Sequence, residues 1–124
     1  PEIRDQHEYI LVAQKPGRKP SRGRGDMTPE EFTAATQSIW TIQPASAHRA
    51  GHPAPFPLEL PARLIKLYTY PGEIVLDPFC GSGTTCLAAA LTGRRWIGVD
   101  ISPAYCEMAS DLINGLREAV TCGG

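Results

Sequence analysis

No stretch of this 124-residue chain approaches the roughly 18 consecutive apolar residues that a membrane-spanning helix needs. Its start lacks the charged, apolar and small-residue zones of a secretory signal, so a cytoplasmic location is expected. The four cysteines, Cys80, Cys86, Cys106 and Cys122, form no Cys-x-x-Cys pair and have no histidine at metal-ligand spacing. That excludes the common zinc modules and predicts reduced, unpaired thiols. No lysine follows Lys66. A phosphate-cradling P-loop needs one directly after its last glycine, so none can lie in the second half of the chain.

What is present describes one small globular domain. A hydrophobic content of 42% is ordinary for such a fold, and the length is short for a doubly wound enzyme. The chain opens on Pro1 without an initiator methionine, which points to a portion of something longer. The net charge of −1 hides an uneven distribution: Lys15, Arg18, Lys19, Arg22 and Arg24 crowd one acid-free stretch.

Residues 3–14, centred on Glu8-Tyr9-Ile10-Leu11-Val12-Ala13, read as a buried strand. The Gly/Pro/Arg-rich stretch 15–25 reads as an exposed loop. Thr28-Pro29-Glu30-Glu31 spells a helix start, with Thr28 as cap, Pro29 at the first helical position and Glu31 closing a capping box. Phe32, Ala35 and Ile39 would be its apolar side. Four prolines between 41 and 57 exclude regular structure there. Leu60, Leu64, Leu67 and Tyr68 then recur at helical spacing up to the stop at Pro71-Gly72. A strand over 74–79, a helix over 84–92 closed by Gly93, a strand over 95–100 and a helix from Pro103, capped by Ser102, complete the order. Its inner stripe is Tyr105, Met108, Ala109, Leu112, Ile113 and Leu116. Residues 74–119 form a βαβα unit whose parallel strands need a right-handed crossover.

The glycine loop between the two strands carries the chemistry. In open α/β sheets, ligands bind beyond the carboxyl ends of strands. A dinucleotide site wants G-x-G-x-x-G, but Gly81-Ser82-Gly83-Thr84-Thr85-Cys86 supplies only two glycines. Asp77, directly before the loop, would repel a pyrophosphate and attract a cation. S-adenosylmethionine meets that condition, since its methionine part carries an ammonium and a sulfonium. Asp77 would face the ammonium, and Asp100, ending the second strand, would accept from ribose hydroxyls. The plainer alternative is a glycine turn joining strand to helix in a protein without a cofactor.

Leu76-Asp77-Pro78-Phe79-Cys80-Gly81-Ser82-Gly83-Thr84-Thr85 resembles the cofactor motif of the DNA amino-methyltransferases of the permuted beta group. Gly93-Arg94-Arg95-Trp96-Ile97-Gly98-Val99-Asp100-Ile101-Ser102 is similar to their next segment, and His52-Pro53-Ala54-Pro55-Phe56-Pro57 to the one upstream. His7 to Val12 resembles a further strand of that family. The resemblance implies an α/β chain holding part of a Rossmann-like methyltransferase fold, with an incomplete parallel sheet flanked by helices. Residues 1–14 would be a strand of that sheet, 15–50 a basic loop and target-recognition segment, and 51–124 the cofactor subdomain. The cofactor implied is S-adenosylmethionine. Its pocket would use Asp77, Pro78, Phe79, Cys80, Gly81, Ser82, Gly83, Thr84, Asp100, Ile101 and Ser102, with His52, Pro53, Phe56 and Pro57 at the methionine end.

The family's base-holding motif, (Asp/Asn/Ser)-Pro-Pro-aromatic, is missing, because no Pro-Pro pair occurs in the chain. In the permuted order it would precede residue 1. Ser102-Pro103-Ala104-Tyr105 is a poor substitute, since a helix cap accounts for it. No catalytic residue and no metal ligand is therefore assigned. Lys15, Arg18, Lys19, Arg22 and Arg24 are candidates for contact with the phosphates of double-stranded DNA, against the alternative of a solvated linker. The leading expectation is the carboxy-terminal portion of an S-adenosylmethionine-dependent DNA amino-methyltransferase acting on adenine or cytosine, as in restriction-modification. Alone it would be inactive, completed by its missing amino-terminal half or self-associating along an open sheet edge. The alternative is a non-catalytic module that binds an adenosyl ligand or DNA.

Overall fold

The computed structural model of the protein describes residues 7–17, 23–43 and 57–121. Its elements run α1 (Pro29–Ala35), α2 (Glu59–Tyr68), β1 (Ile74–Asp77), α3 (Thr84–Leu91), β2 (Arg95–Gly98) and α4 (Pro103–Thr121). β1 and β2 pair in parallel, with Ile74 opposite Arg95 and Asp77 opposite Gly98. This is a small α/β fold built on a two-stranded parallel sheet.

The local signals for these elements hold. At α1, the Thr28 hydroxyl accepts from the Glu31 N–H at 3.1 Å and the Glu31 carboxylate accepts from the Thr28 N–H at 2.9 Å, so the capping box closes as its spacing requires. β1 stops at Asp77 rather than 79. Pro78 has no N–H to give to a ladder, and Asp77 Oδ1 accepts the Phe79 N–H at 3.0 Å, turning the chain. β2 likewise ends at Gly98. Ser102 occupies the cap position of α4, where its carbonyl accepts the Cys106 N–H at 3.2 Å.

Small side chains set the layering. Ala88 and Ala89 on α3 are fully buried and pack with Ile65 of α2 and with Val75 and Trp96 from the two strands. On the other side, Cys80, Cys86 and Ile113 form a second cluster that again meets Trp96. With alanines in the middle layer, α3 can lie close to the sheet, to α2 and to α4 at once.

Four further expectations are corrected. Residues 7–15 form no strand, and Tyr9 and Leu11 are 84% and 93% exposed. A strand needs a neighbouring ladder to satisfy its backbone, and among the described residues only β1 and β2 supply one. α1 ends at Ala35, its only buried residue, so Phe32 stays exposed on it and Ile39 lies exposed beyond it. On α2 the buried positions are Pro61 and Ile65. Leu60, Leu64 and Tyr68 instead line an open apolar groove of about 670 Å³, shared with residues 10–13 and with Ile74, Val75 and Leu76. On α4, Ala109 and Ile113 are buried but Met108 and Leu112 are exposed.

One side of the sheet is covered and the other is open. Val75 and Trp96 face the helices, while Ile74, Leu76 and Ile97 are each about half exposed or more. A parallel sheet ordinarily has both faces covered.

The tightest approach in the fold is at Gly83, which caps α3 with φ +90°. A Cβ there would lie 2.6 Å from the Ala109 Cβ and 2.8 Å from its Cα. Gly83→Ala should therefore combine a left-handed strain of about 1–2 kcal/mol with an overpacking cost of about 1–3 kcal/mol. Gly93→Ala has a similar φ of +73° but meets nothing within 4 Å, and should show the strain alone. Chemical denaturation of both variants checks this: equal midpoints would mean that the contact with α4 carries no weight.

Candidate functional site

The carboxyl ends of β1 and β2 converge on the glycine loop, residues 78–83. The loop is sewn to the second strand through the backbone. Val99 N–H donates to the Asp77 carbonyl at 2.9 Å, and Cys80 N–H to the Val99 carbonyl at 2.9 Å. Gly83 N–H donates to the Cys80 carbonyl at 2.8 Å, which tightens the turn into α3.

Asp100 holds this turn from the opposite strand. Its Oδ2 accepts the Gly81 N–H at 3.0 Å and its Oδ1 accepts the Ser102 N–H at 2.9 Å. One carboxylate thus fixes both the middle of the glycine loop and the entry to α4. Each of its oxygens keeps a further lone pair. Asp77 uses only Oδ1, toward Phe79, so its second oxygen has no partner among the described residues.

The two carboxylates, both half-buried, give the loop a negative field. The Cys80 thiol registers it. Its pKa is raised first by burial and then by the neighbouring charges, including those of Asp77 and Asp100. Burial also pushes the Cys86 thiol up to about 11. Cys80 and Cys86 both crowd the Cα of Gly98, where a Cβ would lie 2.8 Å from the Cys86 Sγ and 3.0 Å from the Cys80 Sγ. Phe79 and Ile101 are 87% and 101% exposed, placing free apolar surface beside the two acids. The arrangement can bind a ligand that offers positive charge, hydroxyl donors and an apolar ring.

Asp77, Pro78, Phe79, Cys80, Gly81, Ser82, Gly83, Thr84, Asp100, Ile101 and Ser102 are thus brought together by the two strand ends and the loop between them. Pro57 stands apart at the entry to α2, where its carbonyl accepts the Leu60 N–H at 3.1 Å. His52, Pro53 and Phe56 lie outside the described residues, as do Arg18, Lys19 and Arg22. Lys15 and Arg24 are exposed. Among the described residues no cluster of histidine, cysteine or acidic side chains could hold a metal, and no helix is long and apolar enough to cross a membrane.

One buried charge was not anticipated from the sequence. Arg94 is 4% exposed and pairs with Asp26, far away in sequence. Its place in the Gly-Arg motif was the available signal, and nothing in that motif names a partner.

The fold and this site find matches among known proteins. Residues 1–111 match the N6/N4 family of DNA methylases, and the chain belongs to that family. It is 40% identical over 104 residues to the type II methyltransferase M.BglI of Bacillus subtilis, covering 83% of this chain and 29% of that protein. It is 32% identical over 126 residues to M.MthZI of Methanothermobacter thermautotrophicus, covering 90% of this chain and 36% of the relative. The chain therefore spans about a third of the length of these curated relatives. Among solved structures it superposes on a candidate DNA modification methylase of Thermus thermophilus, complexed with S-adenosyl-L-methionine, with a TM-score of 0.67. Identity there is 40%, covering 81% of this chain and 40% of that one. The fold is thus part of a methyltransferase fold, in a family related to the type II DNA methyltransferases.

The thiol environments yield a direct test. With its pKa at about 11 and its Sγ buried, Cys86 should remain unmodified by iodoacetamide at pH 8, as should buried Cys80. Exposed Cys106 should react. Because the folded pKa of Cys86 is raised from 9.0, its stabilising contribution is complete below pH 9 and is lost as the pH climbs through about 11. Peptide-resolved mass spectrometry reads the labelling. Modification of Cys86 at pH 8 in the folded protein would contradict the packing around Gly98.

Proposed function

We propose that this chain is the carboxy-terminal, cofactor-binding portion of a DNA amino-methyltransferase of the permuted beta group. The complete enzyme transfers a methyl group from S-adenosylmethionine to the exocyclic amino group of adenine or cytosine in DNA. The observation that carries this reading is the pair of carboxylates, Asp77 and Asp100, flanking a glycine loop at the ends of adjacent parallel strands. Phosphate would be repelled by that field, whereas the ammonium and sulfonium of S-adenosylmethionine would be held by it. The Thermus structure, complexed with the same molecule, supports the choice.

Each residue then has a defined task. The second carboxylate oxygen of Asp77 takes the methionine ammonium. Asp100 accepts from the ribose hydroxyls with its remaining lone pairs while keeping Gly81 in position. Gly81 and Gly83 let backbone approach the ligand, with Ser82 and Thr84 beside them. Phe79, Ile101 and Pro78 supply apolar wall, and Cys80 fills the turn as an inert thiol. Ser102 starts the helix behind the site. His52, Pro53, Phe56 and Pro57 complete the methionine end. When bound, S-adenosylmethionine supplies an activated methyl group and its own leaving group. The chain's contribution is binding and orientation.

The base-holding motif lies on strands that this chain does not contain. A target base must be flipped out of the duplex and held by polar and aromatic groups. The exposed Ile74, Leu76 and Ile97 and the groove beside β1 provide the surface on which such strands would pack. They would come from an amino-terminal half of the same enzyme or a separate polypeptide. The basic loop, with Lys15 and Arg24 exposed, would neutralise DNA phosphates together with Arg18, Lys19 and Arg22. A second copy of the chain could pair along the same edge in the absence of that half.

Asp77→Ala should cost about 1.5–3 kcal/mol of affinity for S-adenosylhomocysteine, the scale of a hydrogen bond to a charged group. Isothermal calorimetry measures it, and unchanged affinity would remove Asp77 from the site. Radiolabelled methyl transfer to duplex DNA should be absent with this chain alone and should appear once a polypeptide carrying an (Asp/Asn/Ser)-Pro-Pro-aromatic motif is supplied. Transfer by the chain alone would mean that Ser102-Pro103-Ala104-Tyr105 must be reconsidered as the base-holding site.

A further inference from the structure

Segment 23–43 is held to the cofactor subdomain in an unusual way. Its helix α1 buries only Ala35, and beyond it Trp40 meets the Arg63 guanidinium of α2 at 4.8 Å, so ring and apolar packing is confined to a few points. Polar ties dominate instead. Arg94 donates to both carboxylate oxygens of Asp26, at 2.5 and 2.9 Å. It also donates to the Thr69 hydroxyl at 3.1 Å, to the Thr69 carbonyl at 2.7 Å and to the Thr92 carbonyl at 2.5 Å. All the N–H groups of the guanidinium are thereby used, and its side chain is 0% exposed. A second pair joins Glu31 to Lys66 of α2 at 2.8 Å. Gly23 lies flat against the Tyr70 ring, where a Cβ would come within 2.4 Å of the ring carbon.

These contacts fall where the basic loop ends and the segment assigned to target recognition begins. Arg24 sits between the Gly23–Tyr70 contact and the Asp26–Arg94 pair. The bidentate geometry restricts Asp26 in position and in orientation. Arg94 bridges the carboxyl ends of α2 and α3, so the anchor stands on the most tightly packed elements of the fold. It lies at the amino ends of β1 and β2, the opposite end from Asp77 and Asp100. Loss of the anchor would therefore leave the cofactor site intact.

We infer that Asp26 and Arg94 are positioning residues for DNA: they pre-order the downstream end of the basic loop so that Arg24 meets a phosphate without a separate ordering step. The inference rests on the proposed reading of residues 15–25 as a DNA-contacting loop. It separates two effects that normally travel together. Asp26 is an acid beside a cationic loop, so removing its charge should strengthen DNA binding if only electrostatics mattered. If Asp26 acts as an anchor, removing its charge weakens binding. Arg94 holds the Asp26 carboxyl below its ordinary pKa, chiefly through the hydrogen bond between them, so the pair stays ionised across the neutral range.

The test uses Asp26→Asn and Asp26→Glu in the full-length protein that carries this chain, with a fluorescent duplex and a salt titration. Asp26→Asn should weaken DNA binding by about three- to tenfold, the scale of ordering cost that the free protein no longer meets beforehand. Its salt slope should be unchanged, because no phosphate contact is removed. Asp26→Glu, which keeps a carboxylate, should recover part of the loss. Affinity for S-adenosylhomocysteine should stay near the parent value, while the thermal midpoint of Asp26→Asn falls because the buried Arg94 loses its counter-charge. Equal or tighter DNA binding by Asp26→Asn would overturn the inference. So would a parallel collapse of cofactor affinity, since Asp26 would then support the whole fold. Failure of the unmodified protein to bind DNA would instead defeat the reading on which the inference rests.

Discussion

The Asp100 carboxylate is the constraint around which the site is built. A glycine loop leaves backbone N–H groups without helical or ladder partners, and such groups are costly when shielded from water. Asp100 meets two of them at once, Gly81 on one side and Ser102 on the other. Charge-assisted bonds of this kind are shorter and stronger than neutral ones. The loop can therefore stay open toward a ligand without collapsing onto the sheet. The same carboxylate sets the direction in which α4 leaves β2. That direction brings Ala109 against Gly83, closing the loop from its far side. Site geometry and helix packing are thus two consequences of one side chain.

This economy also explains why the fold is incomplete on its other side. The alanine-rich face of α3 allows three elements to converge, and Trp96 touches both resulting clusters. That layer is dense. Opposite it, Ile74, Leu76 and Ile97 are only partly covered by the described residues. An exposed edge beside apolar positions favours strand addition, and the groove next to β1 is apolar along most of its lining. The chain spans about a third of its relatives' length, and in the proposed reading the elements that bury this surface come from outside it.

Local chemistry was legible in the sequence, and long-range chemistry was not. The Thr28–Glu31 capping box and the start of α4 at Pro103 each depend on residues a few positions apart, so spacing alone identified them, whereas the turn at Asp77-Pro78 cut short a strand expected to reach 79. The parallel pairing of β1 with β2 followed from the single helix between them. The Asp26–Arg94 pair joins residues 68 positions apart, and no periodicity encodes it. Residues 7–13 fail for a different cause. Their composition favours a strand, but β structure exists only with a neighbour, and neighbours are a tertiary property. The same holds for Phe32 and Tyr68, whose apolar spacing correctly implies a helix but does not say whether anything lies against it, while Ile39 falls beyond the end of α1. At the site, Asp100 was read as a ligand acceptor from its place at the end of a strand. Its bonds to Gly81 and Ser102 required the loop's path in three dimensions.

Two modes of attachment coexist within these few elements, and they respond to different conditions. Residues 57–115 are held by buried alanines, close glycine contacts and backbone bonds, which salt barely affects. Segment 23–43 is held largely by ion pairs, one buried at Arg94 and one at the surface between Glu31 and Lys66. The surface pair is weakened by screening, whereas Arg94, sealed from solvent and saturated with acceptors, is not easily competed away. A duplex brings its own dense anionic charge. Phosphates could draw a partly exposed lysine such as Lys66 from its partner, but they cannot reach a guanidinium with no exposed side-chain surface. The buried pair is therefore the tie able to survive the arrival of a polyanion, and its position directly after the last cation of the basic loop is where such resistance has the most effect.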